Sequence, residues 1–346
     1  MMKRIRIAQI GTSETEHAIQ VFRSLTSHQE IFNVVGYADV DQHSKPLHEV
    51  FGRYRKMTVD EIFQIPDLDA VVIECDENLQ SHYALLAAQH NLPTHLEKPC
   101  GDDGAVFERL IDEVQRRKLL LHTGYMYRYN PAVQYALEVV RAGWLGDVYS
   151  VEAQMSCMHT PAMRRWLGSY QGGMMFYLGC HLVDLIMFFQ GEPLAITPLN
   201  KTVDQGGAYG EDFGMALFHY PNGISVAKTC AAEPGGFMRR QLVICGTKGT
   251  LEIKPLERLL DGDTVSTSIR EHYVNEHGAC PWNSEGKLTV FEPYNRYDSM
   301  MLSFADMVYG KKENPYTPEY ERALHRNLLR ACGRTGEYIH AIPDFT

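Results

Sequence analysis

The run Ala70-Val71-Val72-Ile73 constrains this chain more than any other feature. Four apolar residues, two of them valine and one isoleucine, with no alternation suit a strand covered on both faces, as in the middle of a parallel sheet. The flanking sequence agrees. Ile5-Arg6-Ile7-Ala8-Gln9-Ile10 reads as a first strand, Ile19, Phe22 and Leu25 recur at helical spacing, and Val34-Val35-Gly36-Tyr37-Ala38 reads as a second strand ending at Asp39. A helix is expected from Ser81 to His90, stopped by Asn91-Leu92-Pro93 before a strand at Thr94-His95-Leu96-Glu97. Leu119 to Gly124 reads as a further strand. This alternation predicts a doubly wound α/β domain with a parallel sheet over residues 1–125. Lys98 then falls just beyond the carboxyl end of a strand, where open parallel sheets place their ligands.

From residue 126 to 346 the pattern changes. Runs at 148–153, 214–219, 224–227 and 240–244, split by turn signals such as Pro221-Asn222-Gly223, predict an α+β domain with a large, mostly antiparallel open sheet. Between them, Met174 to Ile186 reads as one buried helix. On it Tyr177, His181 and Asp184 would share a face at i, i+4 and i+7. An isolated histidine on such a face is more often a hydrogen-bonded core residue than a catalyst, and Asp184 could orient its ring or satisfy a buried donor.

Composition narrows the function classes. Lys+Arg total 33 against 43 Asp+Glu, so the chain carries a formal charge of −10 and repels nucleic acid and anionic membranes. The basic groups at 3–6, 53–56 and 116–118 are short and lack interleaved aromatics, so solvated faces explain them. The eight cysteines form no C-x-x-C pair, which suggests reduced thiols in a cytoplasm and no zinc ribbon. Cys157-Met158-His159, Cys180-His181 and Asp184 lack the tight spacing of a metal site, and none is expected. The N-terminal apolar run is too brief for a signal segment, and no stretch approaches a membrane span.

Three further stretches stand in order: Glu97-Lys98-Pro99; Gly124-Tyr125-Met126-Tyr127-Arg128-Tyr129-Asn130-Pro131; and Gly172-Gly173 followed by Gly179-Cys180-His181-Leu182-Val183-Asp184. With Glu211-Asp212-Phe213-Gly214, Gly246-Thr247-Lys248-Gly249-Thr250 and the closing stretch from Phe304 to Gly333, this set resembles the Gfo/Idh/MocA oxidoreductases across essentially the whole chain. The resemblance implies an N-terminal Rossmann domain for a dinucleotide and a C-terminal domain carrying the substrate pocket and, usually, a homo-oligomer interface, dimer or tetramer. It further implies hydride transfer at a carbinol carbon of a sugar or polyol. Such a reaction needs a proton acceptor and a donor for the developing alkoxide, and Lys98 and His181 match the family's positions for these roles. Arg128 and Asn130 would help shape the substrate pocket, with a helix cap before Pro131 as the structural alternative for Asn130.

Three departures from the family pattern stand out. Tyr177 replaces the usual aspartate four residues before His181, so a neutral phenol would serve as an auxiliary donor among the catalytic and substrate-binding residues. The phosphate turn reads Gly11-Thr12-Ser13-Glu14-Thr15-Glu16, keeping only the first glycine. A Glu16 carboxylate ~4 Å from pyrophosphate would repel it by about 4 kcal/mol at a dielectric of ~20. The loop Glu74-Cys75-Asp76-Glu77-Asn78 adds more acid near the expected dinucleotide path. Against these, Asp39 can accept from adenosine ribose hydroxyls, and Val40-Asp41 follow it rather than an arginine, favouring NAD over NADP. Gly11, Thr12, Ser13, Asp39, Glu97 and Lys98 are therefore the expected cofactor contacts. The alternatives are a non-catalytic carbohydrate- or dinucleotide-binding member and an NAD-assisted lyase or glycosidase.

Overall fold

The computed structural model describes residues 3–14, 16–43, 46–203 and 210–334, the side chain of Glu16 excepted. The expected repulsion by Glu16 thus lies outside the described residues. The chain forms two compact units: Met1–Met126 with Asn295–Arg322, and Tyr127–Tyr294 with Ala323–Thr346. The crossing falls close to the cut expected after residue 125, but residues 295–322 return to the first unit instead of staying with the second.

Side chains of the returning segment explain this. Asp298 accepts from Ser24 Oγ at 2.6 Å, Tyr309 Oη donates to the Lys3 carbonyl at 2.9 Å, and Glu321 accepts from the buried Thr123 hydroxyl at 2.8 Å. Phe304 stacks on His122 with ring centroids 5.2 Å apart. Burial of such rings and hydroxyls requires both partners to be present in one unit.

The first unit contains, in chain order, β1 (Ile5–Ile10), α1 (Glu16–Ser27), β2 (Phe32–Ala38), β3 (Lys56–Met57), α2 (Val59–Phe63), β4 (Ala70–Ile73), α3 (Gln80–Gln89), β5 (Thr94–Leu96), α4 (Gly104–Arg117) and β6 (Leu121–Thr123). All six strands are parallel, in the order β3-β2-β1-β4-β5-β6 of a dinucleotide-binding sheet. Every residue of β4 is buried, as its unbroken apolar run predicts.

Register aligns the strand ends. Ala38 pairs with Ile10, Ile10 with Ile73, Ile73 with Leu96, and Leu96 with Thr123. The next residues, Asp39, Gly11, Glu74, Glu97 and Gly124, therefore leave the sheet in a row, three of them acidic. The chain crosses itself tightly here. Gly11 has φ +102°, and a Cβ on it would lie 2.2 Å from the Cys75 nitrogen; a Cβ on Gly124 would lie 2.2 Å from Glu97 Oε2.

The second unit contains α5 (Pro131–Arg141), β7 (Val148–Ser156), α6 (Pro161–Leu167), α7 (Gly173–Tyr177), α8 (Gly179–Gln190), β8 (Ala195–Pro198), β9 (Phe213–Tyr220), β10 (Gly223–Cys230), β11 (Gln241–Gly246), β12 (Gly249–Ile253), the hairpin of β13 (Arg258–Asp261) and β14 (Thr264–Ser266), β15 (Ser268–Tyr273) and β16 (Lys287–Val290). Its large sheet has the order β16-β15-β12-β11-β7-β10-β9-β8. Only the β10–β7 pair is parallel, so the expectation of a mostly antiparallel sheet holds. α8 packs on this sheet with ten of its residues buried from Gly179 to Phe189.

Candidate functional site

In the first unit the candidate residues lie on the row of strand ends. Glu97 and Lys98 follow β5 and are nearly inaccessible, at 4% and 2% exposure, so Lys98 is not a surface lysine. α3 stitches the turn down: Gln80 Nε2 donates to the Lys98 carbonyl at 3.2 Å, Gln80 Oε1 accepts from Gly101 N–H at 3.0 Å, and Ser81 Oγ donates to the Cys100 carbonyl. Lys98 Nζ lies 3.9 Å from Glu97 Oε1, and His17 Nδ1 approaches the same oxygen to 3.6 Å.

Glu74 and Glu77 complete a buried acidic lining, and Coulomb attraction to Lys98 acts on both as well as on Glu97. Burial nevertheless dominates. It pushes Glu74 and Glu97 well above the usual carboxylate range and Glu77 up to about 7. Burial also drives His95 down to about 3, leaving a neutral ring whose Nδ1 shares a 2.7 Å hydrogen bond with His122 Nδ1. Glu74, His95 and Glu97 each bring one potential ligand atom within 4.8 Å of the others. A dication there would meet the Lys98 ammonium, so protons neutralise this cluster more readily than a metal.

The phosphate turn is engaged by the chain's own groups. Thr12 N–H donates to Asp41 Oδ2 at 2.6 Å, and Asp76 N–H donates to Asp41 Oδ1 at 2.6 Å. Thr12 Oγ1 donates to Asp39 at 2.9 Å, Ser13 Oγ to Asp76 at 2.8 Å, and Ser13 N–H to the Glu74 carbonyl at 3.3 Å. The Thr12 and Asp76 N–H groups and the Thr12 and Ser13 hydroxyls suit a bound anion, for they already hold carboxylates. Asp39 also takes Lys56 Nζ at 2.7 Å and His43 Nε2 at 2.8 Å. Burial alone would raise Asp39, but hydrogen bonds from Lys56, His43 and Thr12 outweigh it and hold the acid at about 2.

In the second unit the expected continuous helix breaks at Leu178 into α7 and α8. Gly179 lies where a Cβ would meet Met175 Sδ at 2.5 Å, so the chain closes tightly at the junction. Tyr177 therefore ends one helix while His181 and Asp184 stand on the next. Tyr177 packs edge-on against Trp166, with centroids 5.4 Å apart, in an apolar cluster with Leu167, Met174 and Ala231. His181 is 1% exposed and meets the edge of Tyr127 at 5.0 Å. Tyr127 Oη donates to Glu257 at 2.6 Å, and Arg240 Nη1 donates to both, at 3.0 and 3.2 Å. Cys157 Sγ lies 3.2 Å from His159 Nε2; burial raises the thiol and lowers the imidazole, which keeps the pair neutral.

Two expected substrate residues have internal partners. Asn130 is fully buried and caps α5, its Oδ1 accepting from Ala132 and Val133 N–H and its Nδ2 donating to the Leu256 carbonyl. The cap alternative is the one observed. Arg128, 1% exposed, donates from Nε and Nη2 to Asp184 at 2.7–3.0 Å, so Asp184 satisfies a buried guanidinium. The Tyr127–Glu257–Arg240 network and the hold of Asp41 on Thr12 were not anticipated. The former joins residues more than 100 positions apart with no spacing signal, and Asp41 showed only as an acid beside Asp39.

Among the described residues no helix is long and apolar enough to cross a membrane. A family model described as the GFO/IDH/MocA C-terminal domain matches residues 133–252. The chain is 24% identical over 292 residues to the trans-1,2-dihydrobenzene-1,2-diol dehydrogenase of Bos taurus, covering 82% of this chain and 80% of the relative. It is also 24% identical to the rhizopine catabolism protein MocA of Rhizobium meliloti, over 62% of this chain and 67% of that one. A 3-ketoreductase from Actinomadura kijaniata, solved with NADP and TDP-benzene, superposes with a TM-score of 0.75 at 16% identity, covering 94% and 96% of the two chains. An oxidoreductase from Agrobacterium radiobacter, solved with NAD+, L-tartaric acid and magnesium, gives 0.73 at 17% identity, covering 96% of each. Residues 133–252 thus match a GFO/IDH/MocA C-terminal domain, and the chain is similar over most of its length to dehydrogenases and oxidoreductases, MocA among them.

Proposed function

We propose that this chain is an NAD(P)-dependent oxidoreductase interconverting a carbinol and a carbonyl on a sugar, polyol or related cyclic diol. The observation that carries the reading is Lys98, buried at the carboxyl end of β5 in a parallel sheet of dinucleotide-binding order. The names of the relatives support the substrate class, since the cattle relative is a dihydrodiol dehydrogenase and the actinomycete structure a ketoreductase.

Gly11, Thr12, Ser13, Asp39, Glu97 and Lys98 are the residues that would hold the dinucleotide, which when bound accepts or supplies the hydride. Lys98 donates to the reacting oxygen and holds the charge that develops on it. His181 takes up or returns the hydroxyl proton, and Tyr177, a neutral phenol, is the auxiliary donor. NAD is placed ahead of NADP because Asp39, ionised above about pH 2, accepts from ribose hydroxyls and repels a 2′-phosphate. Lys56 and His43 temper that repulsion.

A homo-oligomer, dimer or tetramer, belongs to the same reading. Ile224, Leu288 and Val290 are exposed, and the strand register puts them on one face of the large sheet. Sedimentation of the purified chain as a monomer would refute this part.

A non-catalytic binding role is the second reading, favoured by the packing of Tyr177 in an apolar cluster. Titration with NAD, NADH, NADP and NADPH, followed by calorimetry, separates the two. Saturable binding together with turnover of a polyol or aldose supports the enzyme; saturable binding with no turnover across such a panel supports the second reading; no binding removes the oxidoreductase.

A further inference from the structure

The turn that would receive the pyrophosphate already holds an anion of the chain's own. Asp41 spans two backbone N–H groups, Thr12 after β1 and Asp76 after β4, with one carboxylate oxygen at 2.6 Å from each. Charge-assisted bonds of this length are among the stronger hydrogen bonds proteins make. Both amides belong to loops that leave adjacent strand ends, and Gly11 brings those loops together because a Cβ there would strike the Cys75 nitrogen. Two converging amides of this kind form an anion-binding concavity.

We propose that Asp41 is an internal occupant of this anion site and competes with the dinucleotide pyrophosphate for the Thr12 and Asp76 amides. The proposal rests on the oxidoreductase reading, because the competing ligand is the dinucleotide. It makes Asp41 a determinant of cofactor affinity that acts by occupying donors, unlike Asp39, whose neighbours are side chains.

The surroundings of Asp41 set the direction with pH. Glu74, Cys75, Asp76 and Glu77 face it from the loop after β4, Tyr83 from α3, His43 from its own segment, and Asp39 with Lys56 lies beyond Thr12. Burial raises Asp41 to about 6 against the bonds from Thr12 and Asp76. The carboxylate is therefore charged and holds both amides at pH 8, and it protonates and loosens that hold as pH falls through about 6. The pyrophosphate stays charged throughout, so dinucleotide affinity rises as the solution is acidified.

The test pairs two measurements on the full chain. In amide NMR spectra of the wild type, Thr12 and Asp76 are expected to titrate together with a midpoint near 6, and Asp41→Asn to abolish that titration. With NADH as probe at pH 8, Asp41→Asn and Asp41→Ala are each expected to bind at least tenfold tighter than wild type, with the difference closing by pH 5.5. His43 is present in all three proteins, so the comparison among them isolates Asp41. Flat amide titrations, or equal NADH affinities at pH 8, would overturn the proposal. Titrating amides with no binding of NADH or NADPH by any of the proteins at either pH would remove the oxidoreductase reading and the competition with it.

Discussion

Asp184→Asn is expected to destabilise the second unit by about 3–5 kcal/mol, the usual loss when one member of a buried ion pair is removed. Arg128 and Asp184 are each 1% exposed and joined by three contacts at 2.7–3.0 Å. The amide keeps the size of the carboxylate but removes its charge, taking a carboxylate from a guanidinium buried away from water. Urea unfolding should show the loss as a lower midpoint with little change in slope. Arg128→Met combined with Asp184→Leu should recover much of it, because the desolvated charges disappear together. A loss below about 1 kcal/mol for the single variant would show that the pair behaves as an exposed one. If Arg128 instead met substrate directly, the single variants would raise KM while leaving the unfolding midpoint near its original value.

This pair marks a boundary of what could be read from the residues. The parallel sheet was legible because strand propensity, full burial and chain order agree: β4 is an apolar run without alternation, and its observed limits are those of that run. The position of Lys98 follows from the same logic, since a strand's carboxyl end is a local property of sequence. Asp184 was different. Its spacing from His181 allowed it to orient a ring or satisfy a buried donor, and only Arg128, 56 positions earlier, decides between them. The break between α7 and α8 was hidden because Leu178 is as apolar as its neighbours; Gly179 was the available signal, in a segment where a family motif already accounted for the glycine. Nor does periodicity report on the return of residues 295–322 to the first unit, which rests on contacts such as Ser24 with Asp298. Asp41 shows the limit most clearly. Acidity near the turn is visible at Glu16 and from Glu74 to Glu77 and reads as repulsion toward a ligand, but Asp41 shows only as an acid beside Asp39, and no local pattern reports that it takes the Thr12 and Asp76 amides.

Lys98→Met is the second large effect, with an expected fall in kcat of about 10²- to 10³-fold on any substrate found, the usual consequence of losing one donor to a developing oxyanion. Methionine fills much of the lysine's volume without its charge, so the turn held by Gln80 and Ser81 keeps its backbone bonds. The acids around it can adjust. Lys98 attracts Glu74, Glu77 and Glu97, and without it each binds a proton more readily; Glu77, already at about 7, becomes largely neutral at pH 7. The variant should therefore fold and keep its dinucleotide dissociation constant within about threefold, because the loss falls on the transition state rather than on ground-state binding. Arginine is expected not to rescue: its planar fork cannot present a compact ammonium in a site this enclosed. Steady-state kinetics beside a dinucleotide titration decide the matter. Retained kcat in Lys98→Met would take the lysine out of the chemistry, whereas a parallel loss of dinucleotide affinity would show that its contact with the cofactor outweighs its contribution to the transition state.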